Sequence, residues 1–373
     1  MRWLLALLLA GAAQAQQFSY LGQQILANGT SLANVPVGGL SSIEYVPSTG
    51  HYLAISDDRS DRGPARFYEL TLDLAQFRRS AEPGDAGVGW VGMTTLLDLD
   101  GQPFRPNQVD PESLRLDARR NLIYWTSEGQ RTSAAMQSPM VRRMHLDGKP
   151  AGEFAVPGYY KPGGSAGGLA AGDVGVYNNL AFESGAITPD GRTLWTATEN
   201  GLAQDDLPAA YGRGSRTRLL SFDLETGQAG AEFVYEVGPV TSALARFGGF
   251  ATNGVTDLLA LSAHEFIAIE RAFAIGAGNT VKLYLIDTRG ATDVRGWPSI
   301  RGRDLVPVKR SLLLDLGTLR NDDGSRLMLD NIEGLTFGPL FDGKRTLILV
   351  SDNNFNPPQS TQFVALTIDG PLP

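Results

Sequence analysis

Five segments of the chain share one order of apolar and polar positions. Each begins near an acidic residue, runs through a short apolar stretch, a turn and a second apolar stretch, and ends in a polar cluster. The segments are Gly39–Asp58, Asp110–Gly129, Asn179–Asn200, Gly254–Arg271 and Asn331–Asn354. Short apolar runs bounded by turn residues predict antiparallel strands. Their recurrence predicts a repeat architecture.

Two more strand-like stretches follow in each of the first four repeats, but the chain ends after one more in the last. A lone stretch, Phe18–Leu26, precedes the first repeat. Pairing the first strand with the last closes a ring and removes a free sheet edge. The expected fold is all-β, a β-propeller of five four-stranded antiparallel blades closed by the N-terminal strand and spanning residues 16–373. A six-bladed ring and a β-sandwich are the alternatives.

The first 15 residues, MRWLLALLLAGAAQA, have the pattern of a signal peptide. Arg2 precedes the apolar run Leu4–Leu9, and Ala13-Gln14-Ala15 is a small-residue cleavage site. We therefore expect cleavage after Ala15 and a periplasmic or secreted protein. The apolar run is too short to cross a bilayer, and no membrane span is expected.

The composition excludes several classes of binding partner and catalytic site. The formal net charge is −8, and an acidic protein is a poor candidate for nucleic acid, which binds basic surfaces. The sequence has no cysteine, which excludes disulfides, thiolate metal sites and cysteine nucleophiles. An acidic chain is compatible with divalent cations.

Repeated carboxylates are the main candidates for chemistry. In a propeller the first strand of each blade lines the central channel, and the second strand returns to the same mouth. The first-strand candidates are Glu44, Glu112, Glu183, Asp257 and Glu333. The second-strand candidates are Asp57, Asp58, Glu128, Glu199, Asn200, Glu270, Asp352 and Asn353. Mutual repulsion makes such a cluster costly without cations, and oxygen-rich clusters suit Ca²⁺ above all. The alternative is that these residues only cap turns or bind neighbouring blades.

Arginines accompany the carboxylates. Arg59 and Arg62 follow the first pair, and Arg271 follows Glu270. Arginine offers a planar fork to phosphate, so we expect a small anionic substrate, with phosphate esters as the leading class. The expected catalytic residues are Glu44, Glu183, Glu333, Arg59 and Arg271. A Ser-His-Asp triad is disfavoured because it needs a histidine near the carboxylates.

Three of the repeats carry a family resemblance: DPESLRLDARRNLIYWTSEG, FESGAITPDGRTLWTATEN and NIEGLTFGPLFDGKRTLILVSDNN. They resemble the phytase-like family of exported bacterial proteins, described as esterase-like activity of phytase, over about Gly39 to Ile368. The resemblance implies a β-propeller hydrolase, metal-dependent and acting on phosphate esters. The fourth repeat departs from the pattern, with Asp257 for Glu and Arg271 for Asn, which suggests contact with an anion there.

Two other functions are open. One is a calcium-dependent lactonase or carboxylic esterase in which Glu44, Asn200 and Asp352 hold one Ca²⁺. The other is a non-enzymatic periplasmic propeller that binds a ligand or a protein. We expect a monomer in each case.

Overall fold

A computed structural model describes residues 17–370 of the chain. Its main strands form five four-stranded antiparallel sheets, and the innermost strands contact one another in a closed ring. The predicted five-bladed propeller is confirmed; the six-bladed ring and the sandwich are wrong. The predicted signal peptide, residues 1–15, lies outside the described residues.

The blades follow one another along the chain, each starting at the channel and ending at the periphery. Blade 1 contains strands Leu40–Val46, His51–Ser56, Arg66–Leu72 and Val88–Thr95. Blade 2 contains Pro111–Asp117, Leu122–Ser127, Met140–Met144 and Pro150–Glu153. Blade 3 contains Ala186–Ile187, Thr193–Ala197, Ser215–Asp223 and Ala229–Val237. Blade 4 contains Ala251–Ala260, Glu265–Ala274, Gly278–Asp287 and Lys309–Asp315. Blade 5 contains Asn331–Phe337, Arg345–Asp352, Thr361–Asp369 and, from the other end of the chain, Gln17–Leu26.

The remaining elements are short. Two-residue strands pair in two hairpins, Ser31–Leu32 with Val35–Pro36 and Gln130–Arg131 with Met136–Gln137. The 3₁₀ turns are Leu74–Gln76, Gly158–Tyr160, Ala243–Phe247 and Leu316–Thr318. Between residues 17 and 370, no helix has the length and apolar character needed to cross a membrane.

The N-terminal strand closes the ring as expected. Gln17–Leu26 pairs antiparallel with Thr361–Asp369, Phe18 lying opposite Ile368 and Leu26 opposite Thr361. This pairing gives blade 5 its outer strand and covers an edge that would otherwise expose unpaired backbone groups.

The core lies between neighbouring blades rather than at one centre. Between blades 5 and 1, for example, Ile348 and Phe363 belong to the same buried cluster as Tyr52 and Tyr68. Alternate residues of each strand point to opposite faces of its sheet. Each blade therefore presents apolar side chains to both of its neighbours.

A buried ion pair joins all five blades in the channel. Arg115 of blade 2 donates to Ser42 Oγ of blade 1 at 2.7 Å and to both carboxylate oxygens of Asp257 in blade 4 at 2.7 and 2.6 Å. Asp257 accepts the Leu335 N–H of blade 5 at 3.0 Å and the Gly185 N–H of blade 3 at 3.5 Å. The Arg115 and Asp257 side chains are 3% and 0% exposed, so solvent does not reach the channel at this level.

Candidate functional site

A small acidic cavity lies at the mouth where the first strands begin. It encloses about 250 Å³ and is lined by Asp57, Arg59, Asp110, Glu112, Asn179, Glu183, Glu333, Asp352 and Asn354. Carboxylate oxygens of Glu112, Glu183 and Glu333 lie within 4.8 Å of one another, and so do those of Asp110, Glu112 and Glu128. The structure thus brings together three of the predicted first-strand acids and three of the predicted second-strand acids. They are Glu112, Glu183 and Glu333, and Asp57, Glu128 and Asp352.

A β-bulge at the start of the first strand places two of the three glutamates, Glu333 and Glu112. In blade 5 the pairing register shifts between Ile332 and Gly334, which leaves Glu333 at the bulge. In blade 2 the shift between Pro111 and Leu114 contains Glu112. A bulged residue leaves the strand ladder and is re-aimed, so these carboxylates turn toward the cavity.

The same register places Ser41 and Thr256 at the bulges of blades 1 and 4. The acids predicted for these blades, Glu44 and Asp257, lie further along the strands. Glu44 approaches Arg115 Nε at 3.9 Å, and Asp257 forms the buried pair with the same arginine. Neither lines the acidic cavity.

The residue at the end of the second strand that faces the start of the first strand is an acid in blades 1, 2, 3 and 5. In blade 4 it is an arginine. Asp352 pairs with Asn331, and in the same register of blade 4 Arg271 pairs with Gly254. The corresponding acids of the other blades are Asp57, Glu128 and Glu199. Arg271 Nη2 donates to Glu333 at 2.9 Å and lies 3.7 Å from Glu199 Oε1. At this register the ring therefore contains a buried cation, Arg271, in place of a fifth acid.

Glu270, one residue earlier, points away from the mouth. It accepts the Tyr235 hydroxyl at 2.5 Å and the Asn253 amide at 2.9 Å, and it also pairs with Arg310. Asp58 is similarly engaged elsewhere, because Arg66 donates to it at 2.7 Å and both side chains are buried. These two carboxylates are satisfied by structural partners.

The two predicted asparagines support loops. Asn200 Oδ1 accepts the Ala209 N–H at 2.7 Å. Asn353 Oδ1 accepts the N–H groups of Gly39 and Phe355, each at 3.0 Å. Neither residue lines the acidic cavity.

The predicted Arg59 reaches the cavity from the loop after blade 1. It pairs with Asp110 and donates to Asn179 Oδ1 at 2.7 Å. Asp110, Asn179 and Asn354 are cavity residues that the sequence analysis did not select. Asp110 stands two residues before Glu112, and this spacing is the sequence feature that indicates it. Asn179 and Asn354 lie on loops with no repeated pattern.

Burial raises the pKa values of the clustered acids. Loss of solvent, reinforced by neighbouring carboxylates, raises the pKa of Asp57 to about 6 and of Glu199 to about 7. Burial raises the pKa of Glu333 to about 8, although the Arg271 charge opposes this. Burial and the surrounding acids also hold the pKa values of Glu112 and Glu183 well above their ordinary range. Without a cation, part of the cluster keeps its protons at neutral pH.

The donor set fits a hard divalent cation. Glu128 Oε2 is buried and, within the described residues, accepts no hydrogen bond. Buried carboxylate oxygens without donors are unfavourable unless a cation compensates them. All available ligands at the cavity are oxygens, which is the preference of Ca²⁺ and Mg²⁺.

A larger cleft of about 1120 Å³ opens beside the acidic cavity, and Asn179, Glu333 and Asn354 line both. Its other lining residues include Arg62, Arg271, Phe250, Phe273 and Phe355. A bound molecule in this cleft can reach the acidic cluster at Glu333 and the guanidinium of Arg271.

Fold and site together define a five-bladed β-propeller with carboxylate clusters able to hold a metal ion at one mouth of its channel. The chain belongs to the phytase-like family described as esterase-like activity of phytase, whose sequence model matches residues 35–355. The predicted family is confirmed, and membership places the protein among hydrolases.

No characterised protein matches the chain closely in sequence. Among solved structures, a thermostable family-43 glycoside hydrolase is 12% identical over 92% of this chain and 96% of its own, with a TM-score of 0.49. The periplasmic gluconolactonase PpgL of Pseudomonas aeruginosa is 12% identical over 93% and 96%, with a TM-score of 0.35. The bifunctional GH43-CE protein of Bacteroides eggerthii is 14% identical over 92% of this chain, with a TM-score of 0.44, and the match covers 34% of that protein. These similarities carry no information about substrate.

Proposed function

We propose that the protein is an exported, metal-dependent hydrolase of phosphate esters and that the acidic cavity is its active site. The observation that carries this proposal is the cluster of Glu112, Glu183 and Glu333 with Arg271 beside it. Acids and an arginine at the end of an open cleft combine a cation site with a group that binds an anion.

Glu112, Glu183 and Glu333 would hold one cation, and Asp110 and Glu128 are positioned for a second beside Glu112. Asp57 and Asp352 line the same cavity. Ca²⁺ is the leading candidate because all of these ligands are oxygens and the ion tolerates irregular geometry. When bound, the ion would neutralise charge that develops on the phosphoryl group.

The arginines orient the substrate. Arg271 is held by Glu333 and Glu199, which fixes its fork at the boundary between cavity and cleft. Its guanidinium would donate to the equatorial phosphoryl oxygens and stabilise their charge in the transition state. Arg59, fixed by Asp110 and Asn179, would supply positive charge from the loop after the second strand of blade 1.

Glu199 is the candidate general base. It lines the cleft, its Oε1 accepts no hydrogen bond within the described residues, and burial raises its pKa to about 7. A carboxylate with a pKa near neutrality suits proton abstraction at that pH. Glu199 Oε1 would take the proton from the water that attacks phosphorus in line.

Hydrolysis assays with and without metal test the proposal. Chelator-stripped protein would be assayed with 4-nitrophenyl phosphate and bis(4-nitrophenyl) phosphate before and after Ca²⁺ is restored, beside elemental analysis of the untreated protein. We expect turnover only with the cation, and loss of turnover in Glu333→Gln but not in the exposed control Glu82→Gln. Absence of both bound metal and turnover would favour the binding-propeller alternative.

A carboxylic ester or lactone is the second candidate substrate. It is favoured by the aromatic wall of the cleft, formed in part by Phe250 and Phe273. The ligand set expected for this alternative is dispersed, because Glu44 lies against Arg115 and Asn200 binds a backbone N–H. An esterase activity would therefore use the Glu112 cluster. Parallel assays with 4-nitrophenyl acetate and a γ-lactone separate the two classes.

The signal-peptide pattern of residues 1–15 supports export. Expression of the full chain followed by cell fractionation checks the location, and mass spectrometry of the exported protein checks cleavage after Ala15. Size-exclusion chromatography of the product checks the expected monomer and whether residues 16–373 behave as one unit.

A further inference from the structure

The cleft continues into a second groove of about 530 Å³. Five residues line both depressions: Asn178, Leu180, Pro208, Ala209 and Ala251. The cleft in turn shares Glu333 with the acidic cavity. One continuous depression therefore leads from the carboxylate cluster across the loops of blade 3.

The far groove is largely apolar. Leu169 and Leu207 stand on its walls and are 67% and 39% exposed, and Leu180 lies where it joins the cleft. Among the described residues that line this groove, Arg213 is the single charged one. Exposed leucines that gather along a depression, rather than scatter singly, indicate a surface for an apolar ligand.

Partly buried polar contacts fix the walls of the groove. On the loop that bears Leu169, Asp173 accepts the N–H groups of Ser165 at 2.7 Å and Ala170 at 2.8 Å. The Tyr177 hydroxyl donates at 3.0 Å to the carbonyl of Asp206, the residue before Leu207. This contact ties one wall to the other, so the groove is preformed and an apolar chain can enter it without ordering the loops.

We propose that the substrate is an amphipathic ester whose alkyl chain lies in the groove between Leu169 and Leu207, with its ester group at Glu333 and Arg271. The proposal rests on the proposed function only for the reaction at the acidic cavity; binding of the chain is a separate property. It accounts for the continuity of an apolar groove with a charged site, which a small polar phosphate ester would not require.

Binding of two phosphonates tests the groove without turnover. Isothermal titration calorimetry of the Ca²⁺-loaded protein would compare methylphosphonate with octylphosphonate, the latter below its micellar concentration. Each fully buried methylene strengthens binding about fourfold, so a partly buried octyl chain is expected to bind at least ~10-fold more tightly. Leu207→Asn and Leu169→Asn should remove most of this preference. Leu340→Asn, at a 69% exposed leucine outside the groove, should retain it.

Hydrolysis of 4-nitrophenyl methyl phosphate and 4-nitrophenyl octyl phosphate distinguishes this proposal from the proposed function. A higher kcat/KM for the octyl ester, lost in Leu207→Asn, supports both. A preference for octylphosphonate without hydrolysis of either ester supports binding of the alkyl chain in the groove and contradicts the proposed phosphate-ester hydrolysis. If the two phosphonates bind equally, and the groove variants do not change this, the groove does not bind the alkyl chain and the proposal is wrong, whether or not the esters are hydrolysed. Thermal unfolding of each variant checks that the substituted protein is folded.

Discussion

Removal of divalent cations should make the stability of this protein fall as the pH rises. The acids at the mouth have raised pKa values in the folded state, with Glu333 at about 8 against an ordinary value of 4.5. The folded, cation-free protein therefore keeps a proton at Glu333 that the unfolded chain releases between these two values. The stability that Glu333 contributes is fully present below about pH 4.5 and is lost progressively up to about pH 8.

The magnitude follows from the pKa difference. A difference of one in pKa corresponds to about 1.4 kcal/mol, so Glu333 alone lowers the free energy of unfolding by ~3 kcal/mol at pH 7 relative to pH 4.5. Glu199, with a pKa of about 7, acts in the same direction, but the two are neighbours and their effects are not additive. For a chain of this length, 3 kcal/mol corresponds to a change of ~4 °C in Tm.

The assay is thermal unfolding at pH 5, 6, 7 and 8, in EDTA and in excess Ca²⁺. In EDTA the Tm should fall across this range beyond the background of other titrating groups, whereas bound Ca²⁺ should reverse the trend because it prefers ionised carboxylates. Glu333→Gln should flatten the EDTA curve relative to the native chain, and the exposed control Glu82→Gln should not. A native Tm that stays level or rises in EDTA, with no difference from Glu333→Gln, would refute the reasoning.

Three further substitutions test the channel and the mouth. Arg115→Met leaves Asp257 buried without its cation, so the free energy of unfolding measured in urea should fall by ~3–5 kcal/mol. The double variant Arg115→Met/Asp257→Asn should recover part of this loss, and no recovery would contradict the importance of the pair. Arg271→Lys keeps the charge but loses the planar fork, so kcat/KM for a cleaved phosphate ester should fall roughly 100-fold at unchanged Tm, and native kinetics would exclude this role. Gly334→Ala should lower the Tm because a Cβ there would lie 2.8 Å from the Ser42 Cα of the next blade; an unchanged Tm would show that the two blades separate easily.

Much of the architecture follows from the sequence alone. The alternation of apolar runs and turns predicts the five blades, and the missing last strand predicts closure by Phe18–Leu26, observed as Gln17–Leu26. Acids at a fixed place in each repeat predict an acidic mouth, and the structure brings Glu112, Glu183 and Glu333 together there. These features are recoverable because they depend on local periodicity, which the linear chain preserves.

Only the tertiary structure decides which of the repeated acids form the site. A one-residue bulge lies at Glu112 and Glu333 in blades 2 and 5, whereas the bulges of blades 1 and 4 carry Ser41 and Thr256. Glu44 and Asp257 stand beside Arg115 instead. A shift of one residue exchanges the two faces of a strand, and sequence spacing does not reveal where the shift occurs. The pairing of Arg115 with Asp257 is set by ring closure, which brings side chains 142 positions apart into contact; no pattern along the chain encodes that distance.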